Sequence, residues 1–284
     1  IFYYLSTKSR RVRPIKSNDA QTTIMIKQGT NILKEHAKER LSFNQELQQI
    51  NFLDRRVYKR SEGVYYPSVT TILQYMPRNQ FFENWLKDVG HNADLIARHA
   101  AKEGTQVHEA AEDLVLGREV HWMDDYGRAK YSQIVWEMIL RFYEFWTKYK
   151  PELISSEEFV YSDIHEYAGT ADLLVKMDNE IWLLDLKTSK HLHKSYNLQL
   201  SAYAKAMEET KKIKIDRTGI IWLKAHTRSE SKKEGVYQGK GWQIKVIDNI
   251  DKNFELFKNI YNFYRLDHPT TEPIYNNYPT TLKL

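Results

Sequence analysis

The chain has 284 residues, 42% of them hydrophobic and 13% aromatic, enough to enclose a substantial core. It has no cysteine, which excludes disulfides, zinc–thiolate sites and iron–sulfur clusters and fits an intracellular setting. It also lacks any apolar run of about 18 residues, which excludes a membrane-spanning helix. The net charge of +5 is unevenly spread: residues 1–60 hold 13 Lys+Arg against 5 Asp+Glu, a net of +8, which leaves −3 for the remainder. A basic arm on a near-neutral body suits a polyanionic partner, and it equally suits a solubilising terminus.

Residues 1–30 show no period, and Lys8, Arg10, Arg11 and Arg13 form a loop-like basic cluster. From about residue 31 to 53 the composition is helical. Ser61-Glu62-Gly63 reads as a linker, so the arm is assigned to residues 1–62 and a second domain to 63–284. Ser68 or Thr70 caps a short helix that Pro77 stops. Gln80 to about Val89 and Ala93 to Lys102 read as helices. Gly104 interrupts the pattern, Thr105 caps another helix over 106–116, and Gly117 closes it. Asp124-Asp125 opens a long helix to about Tyr149, whose wide apolar stripe includes Ile134, Val135, Met138, Ile139, Phe142, Phe145 and Trp146. Strands are expected at 157–161, 171–175, 181–186, 218–223 and 237–246, with helices at 197–209 and 251–266. This divides the second domain into a helical region (63–150), an α/β core (151–250) and a C-terminal helix and tail (251–284), with helices on the faces of a small mixed sheet.

The centre of this pattern is GTADLLVKMDNEIWLLDLKTSK, residues 169–190. Two apolar runs flank the turn pair Asp178-Asn179, which predicts a two-residue β-hairpin. In its register Asp172 and Asp185 are directly opposed, and Lys187 shares the face of Asp185. Opposed carboxylates repel, and a divalent cation between them offsets the repulsion. The alternative is a solvated strand end. Leu183-Leu184 argues against it, because a strand apolar on both faces is central in its sheet. His108 alone is an ordinary structural histidine. Gln199 and Tyr203, four apart on a helix, share a face.

Together, Gly104-Thr105-x-x-His108, Gly169-Thr170-Ala171-Asp172, Asp185-Leu186-Lys187 and Gln199-x-x-x-Tyr203 resemble the PD-(D/E)xK nuclease superfamily in its RecB-like exonuclease branch. Pro67-Ser68-Val69-Thr70 and His108-Glu109-Ala110 resemble the mitochondrial genome maintenance exonucleases and their phage relatives. The resemblance covers roughly residues 64–265. It implies a restriction-endonuclease-like α/β core with a helical N-terminal extension. It implies Mg²⁺ or Mn²⁺ held by Asp172, Asp185, the Leu186 carbonyl and His108, with Lys187 orienting the attacking water. Gln199 and Tyr203 would position DNA, and either Glu157 or its neighbour Glu158 would match an acidic residue that some relatives carry on the first strand.

The activity so implied is a metal-dependent DNA exonuclease acting on single strands or ends, in repair, recombination or replication. No phosphate-binding loop for ATP is present, so a helicase or replication partner would be a separate chain. A structure-specific endonuclease shares the metal residues and differs in how DNA enters. A catalytically inactive nucleic-acid-binding protein of the same fold is disfavoured by the intact Asp172, Asp185 and Lys187. Lys, Asn, Ile and Tyr usage suggests an AT-rich genome, which points to a host cytoplasm for a phage protein, with the mitochondrion as the alternative.

Overall fold

A computed structural model describes residues 47–52, 55–77, 80–224, 236–272 and 283. The chain divides into two units, Ile1–Gln48 and Gln49–Leu284. The basic cluster Lys8 to Arg13 and most of the helix expected over 31–53 lie outside the described residues. The end of that helix is instead strand β1, Gln48–Phe52. It joins β2 (Arg55–Ser61) and β3 (Val64–Pro67) in a three-stranded sheet. Ser61-Glu62-Gly63 is therefore a hairpin turn and not a linker, with Gly63 at φ +70°. Ser68 caps α1 (Val69–Ile72) by accepting the Thr70 N–H at 3.2 Å.

Helix α2 spans Gln80–Val89. Helix α3 then runs unbroken from Ala93 to Val115. Gly104 does not interrupt it: isolated glycine in a helix costs only about 1 kcal/mol, and here the helix continues through it. Gly117, at φ +73°, follows the end as expected. The next helix starts later than the sequence suggests. Asp124 spends its carboxylate on the Tyr126 and Arg128 N–H groups, both at 2.9 Å, and so closes a turn instead of opening a helix. Ser132 is the real cap of α4 (Gln133–Tyr149). Val135, Met138, Ile139, Phe142 and Phe145 form its buried face, each contributing roughly 1.5–3 kcal/mol.

Six strands follow: β4 (Glu152–Ser162), β5 (Tyr167–Met177), β6 (Glu180–Lys187), β7 (Arg217–Trp222), β8 (Val236–Gln238) and β9 (Gln243–Ile247). Their order is β4-β5-β6-β7-β9-β8. All neighbours are antiparallel except β6 and β7, which are parallel because α5 (Lys194–Lys211) crosses over between them. Helix α6 (Ile250–Asp267) closes the core. The sheet is buried on both faces. Leu183 packs with α5 and α6, whereas Leu184 packs with α3 and α4, so β6 is the central strand that its two-sided apolar run predicts. No helix among the described residues is long and apolar enough to cross a membrane.

The β5–β6 hairpin keeps the expected register, from Met177↔Glu180 to Leu173↔Leu184. Asp178 and Asn179 both take positive φ, at 51° and 62°, as a type I′ turn requires. Gly169 on β5 has a separate reason to be glycine. A Cβ there would lie 2.3 Å from Cε1 of buried Tyr203, so the α5 ring rests directly on the strand backbone.

Candidate functional site

The site forms where strand alternation fails. Along β5, Ala171 and Leu173 are two apart and would share a face in regular strand, yet Ala171 packs on the α5 side and Leu173 on the α3 side. On β4 the matching position is Glu157, at φ +48°, between the paired residues Ser156↔Leu173 and Glu158↔Ala171. A left-handed residue inside a strand is costly for anything but glycine and marks a constrained site. The two adjacent glutamates divide between the faces as strand neighbours do. Glu158 goes to the α5 side and pairs with Lys211. Glu157 goes to the α3 side, where His108 and Asp172 lie.

One donor atom each from His108, Glu157 and Asp172 lie within 4.8 Å of one another. His108 Nδ1 is 3.5 Å from Asp172 Oδ2. With Glu112 and Leu186 these residues line a small open cleft. Asp172 is aimed by the Leu186 N–H, which donates to its Oδ2 at 2.7 Å. Leu186 thus presents its amide to the carboxylate, and the resemblance implies its carbonyl as a metal ligand.

Asp185 follows the hairpin register one step past the last paired residues, but its side chain turns the other way, toward α5. It is 2% exposed. Gln199 Nε2 donates to its Oδ1 at 3.1 Å and reaches the Tyr203 hydroxyl at 3.4 Å. Its Oδ2 lies 2.5 Å from Lys187 Nζ in a close, buried ion pair. The Tyr196 ring lies 4.7 Å from the Lys187 ammonium. Gln199 and Tyr203, expected to face DNA, are 8% and 2% exposed and form the floor beneath Asp185.

Charge crowding is evident in the acid–base balance of the site. Burial, then the Asp172 charge and that of Glu112, push the Glu157 carboxyl up to about 8. The residue retains accessible surface, but its carboxyl sits in a concavity among acidic neighbours, which is why it resists ionisation. Burial pushes the Asp185 carboxyl up to about 6; Lys187 opposes this and Asp172 adds to it. Burial works against the Lys187 charge, but Asp185 and Asp172 outweigh it and hold the ammonium above its usual range.

These residues fit a divalent metal ion. One imidazole and two carboxylate donors converge within 4.8 Å, and burial with neighbouring negative charge raises the Glu157 carboxyl, a repulsion that a cation would relieve. Sequence reasoning brought His108, Asp172, Asp185 and Lys187 to one place but left Glu157 undecided against Glu158. Strand parity carried the missing signal: Glu158 shares its face with Val160 and Ser162, which belong to the α5 side, and this leaves Glu157 for the site.

A family model described as the PD-(D/E)XK nuclease superfamily matches residues 79–262, well over half of the chain. No curated protein matches it.

Proposed function

Because the chain belongs to the PD-(D/E)XK nuclease superfamily, whose members are metal-dependent nucleases, we propose that it is a DNA exonuclease that hydrolyses phosphodiester bonds on single strands or at ends. Its place would be the processing of DNA in repair, recombination or replication. The observation that carries the reading is the convergence of His108, Glu157 and Asp172 beside the buried Asp185–Lys187 pair.

His108, Glu157 and Asp172 would hold Mg²⁺ or Mn²⁺, with Asp185 adjoining, and the imidazole makes Mn²⁺ at least as acceptable as Mg²⁺. The ion supplies an acidified water and charge neutralisation at phosphorus. The protein supplies the rest. The Leu186 amide fixes Asp172, and Gln199 fixes Asp185. Lys187, charged and held by Asp185 and the Tyr196 ring, directs positive potential at the reacting phosphate. Gln199 and Tyr203 act from beneath, as supports of Asp185, and not through direct contact with the strand.

The reading is tested with one strand offered in two forms, end-labelled linear and covalently closed circular, in Mn²⁺. We expect the linear strand to shorten progressively and the circle to survive. A linearised circle would instead identify a structure-specific endonuclease, and survival of both forms would reject the nuclease reading.

A further inference from the structure

The small sheet brings one more cation to this site. On β2, Tyr58 is buried; its hydroxyl lies 3.0 Å from Thr170 Oγ1, and its ring meets Phe159 edge-on at 6.0 Å. Phe159 and Thr170 are cross-strand partners in the β4–β5 ladder. Two residues along those strands, on the same side, come Glu157 and Asp172. Two residues from Tyr58 on β2, on the same face, comes Arg56. Tyr58 therefore stands over one cross-strand pair, and Arg56 stands toward the next, which carries the metal donors. The electrostatics agree with this placement: Arg56 offsets part of the upward push on the Glu157 carboxyl. Its backbone is fixed, since its carbonyl accepts the Ser68 N–H at 3.1 Å and the Thr71 hydroxyl at 3.4 Å. Its side chain is exposed.

We propose that Arg56 binds a backbone phosphate of the nucleic-acid strand at the mouth of the metal site. The proposal rests on the nuclease reading and deepens it. Glu112 and Asp172 line the cleft with negative charge and repel a phosphodiester. Lys187 is engaged deep in the site by Asp185 and Tyr196, so approach of the strand calls for an exposed cation at the rim. A guanidinium fork suits two phosphate oxygens better than an ammonium does. Arg56 lies before residue 79, where the family match begins.

The test compares the full chain with Arg56→Ala and Arg56→Lys. The probe is a fluorescent single-stranded oligonucleotide, titrated in EDTA across a salt series, with melting temperature followed in parallel. Loss of a charge-assisted contact should weaken binding roughly tenfold in Arg56→Ala. The slope of log affinity against log salt should fall by about 0.7, the value for one phosphate on a single strand. Arg56→Lys should recover the slope but only part of the affinity. With Mn²⁺, Arg56→Ala should raise KM more than it lowers kcat. Unchanged affinity and slope in Arg56→Ala would overturn the proposal, as would a fall in melting temperature without a change in affinity, or no strand binding by the parent chain. Absence of parent cleavage in every metal would count against the nuclease reading alone, because the EDTA series still decides whether Arg56 holds a phosphate.

Discussion

Asp185→Asn should leave a folded protein that no longer cleaves DNA. The substitution keeps the shape and an acceptor for Gln199 while removing a charge that is buried and repelled by Asp172. Folding loses the Lys187 ion pair, but a buried charge and its repulsion by Asp172 go with it and Asp172 still balances part of the Lys187 charge, so the melting temperature should fall without the chain unfolding. Turnover loses much more. The carboxylate adjoining the proposed metal site disappears, and Lys187 loses the partner that aims it. We expect activity to fall by roughly a thousandfold, in line with removal of a preorganised electrostatic group. Turnover and melting temperature measured on one preparation decide it. Activity within tenfold of the parent would remove Asp185 from the mechanism, and a collapse in melting temperature would recast it as a structural anchor for Lys187.

The second large effect is a stability that falls with rising pH in the absence of metal. The Glu157 carboxyl is pushed up to about 8 and that of Asp185 to about 6, both above the ordinary value near 4. Each group holds its proton more tightly in the folded chain than in the unfolded one. Their stabilising contribution is complete below about pH 4 and is lost as the pH rises through 6 and then 8. In EDTA, the melting temperature should therefore drop between pH 5 and pH 8, and less steeply in Glu157→Gln. Mn²⁺, which binds the ionised carboxylates, should raise it more at pH 8 than at pH 5. Parallel pH profiles for parent and Glu157→Gln would show that Glu157 is not crowded as described.

Much of this site can be read from one hairpin. Asp178-Asn179 dictates a turn that needs two positive φ values, the turn dictates the register, and the register brings Asp172 and Asp185 to neighbouring positions. Leu183 and Leu184 mark β6 as central because each feeds a different core. Four local features escape such reading. Asp124 is an equally good residue for a turn and for a helix cap, and only the Ser132 cap beyond it settles where α4 begins. Gly104 looks like a break, but a long helix tolerates its modest cost. The Glu157 backbone reversal has no signature in residue type, because glutamate is a poor choice for positive φ and is held there by its surroundings. The inward aim of Tyr203 follows from Gly169, whose missing side chain lets the ring lie against β5. For Glu157 and Tyr203 tertiary packing decides, whereas for Asp124 and Gly104 the choice lies between local conformations of nearly equal cost.

The central claim is that His108, Glu157 and Asp172, with Asp185 beside them, form a divalent-metal centre for strand cleavage. It is tested most directly by incubating a 5′- and a 3′-labelled single strand with the parent chain, His108→Ala and Glu157→Gln, in graded Mn²⁺ and in EDTA. The account predicts cleavage by the parent in Mn²⁺ and none in EDTA, with both variants needing more Mn²⁺ for half-maximal rate. Cleavage that persists in EDTA, or a half-maximal Mn²⁺ concentration unchanged by both substitutions, would contradict it.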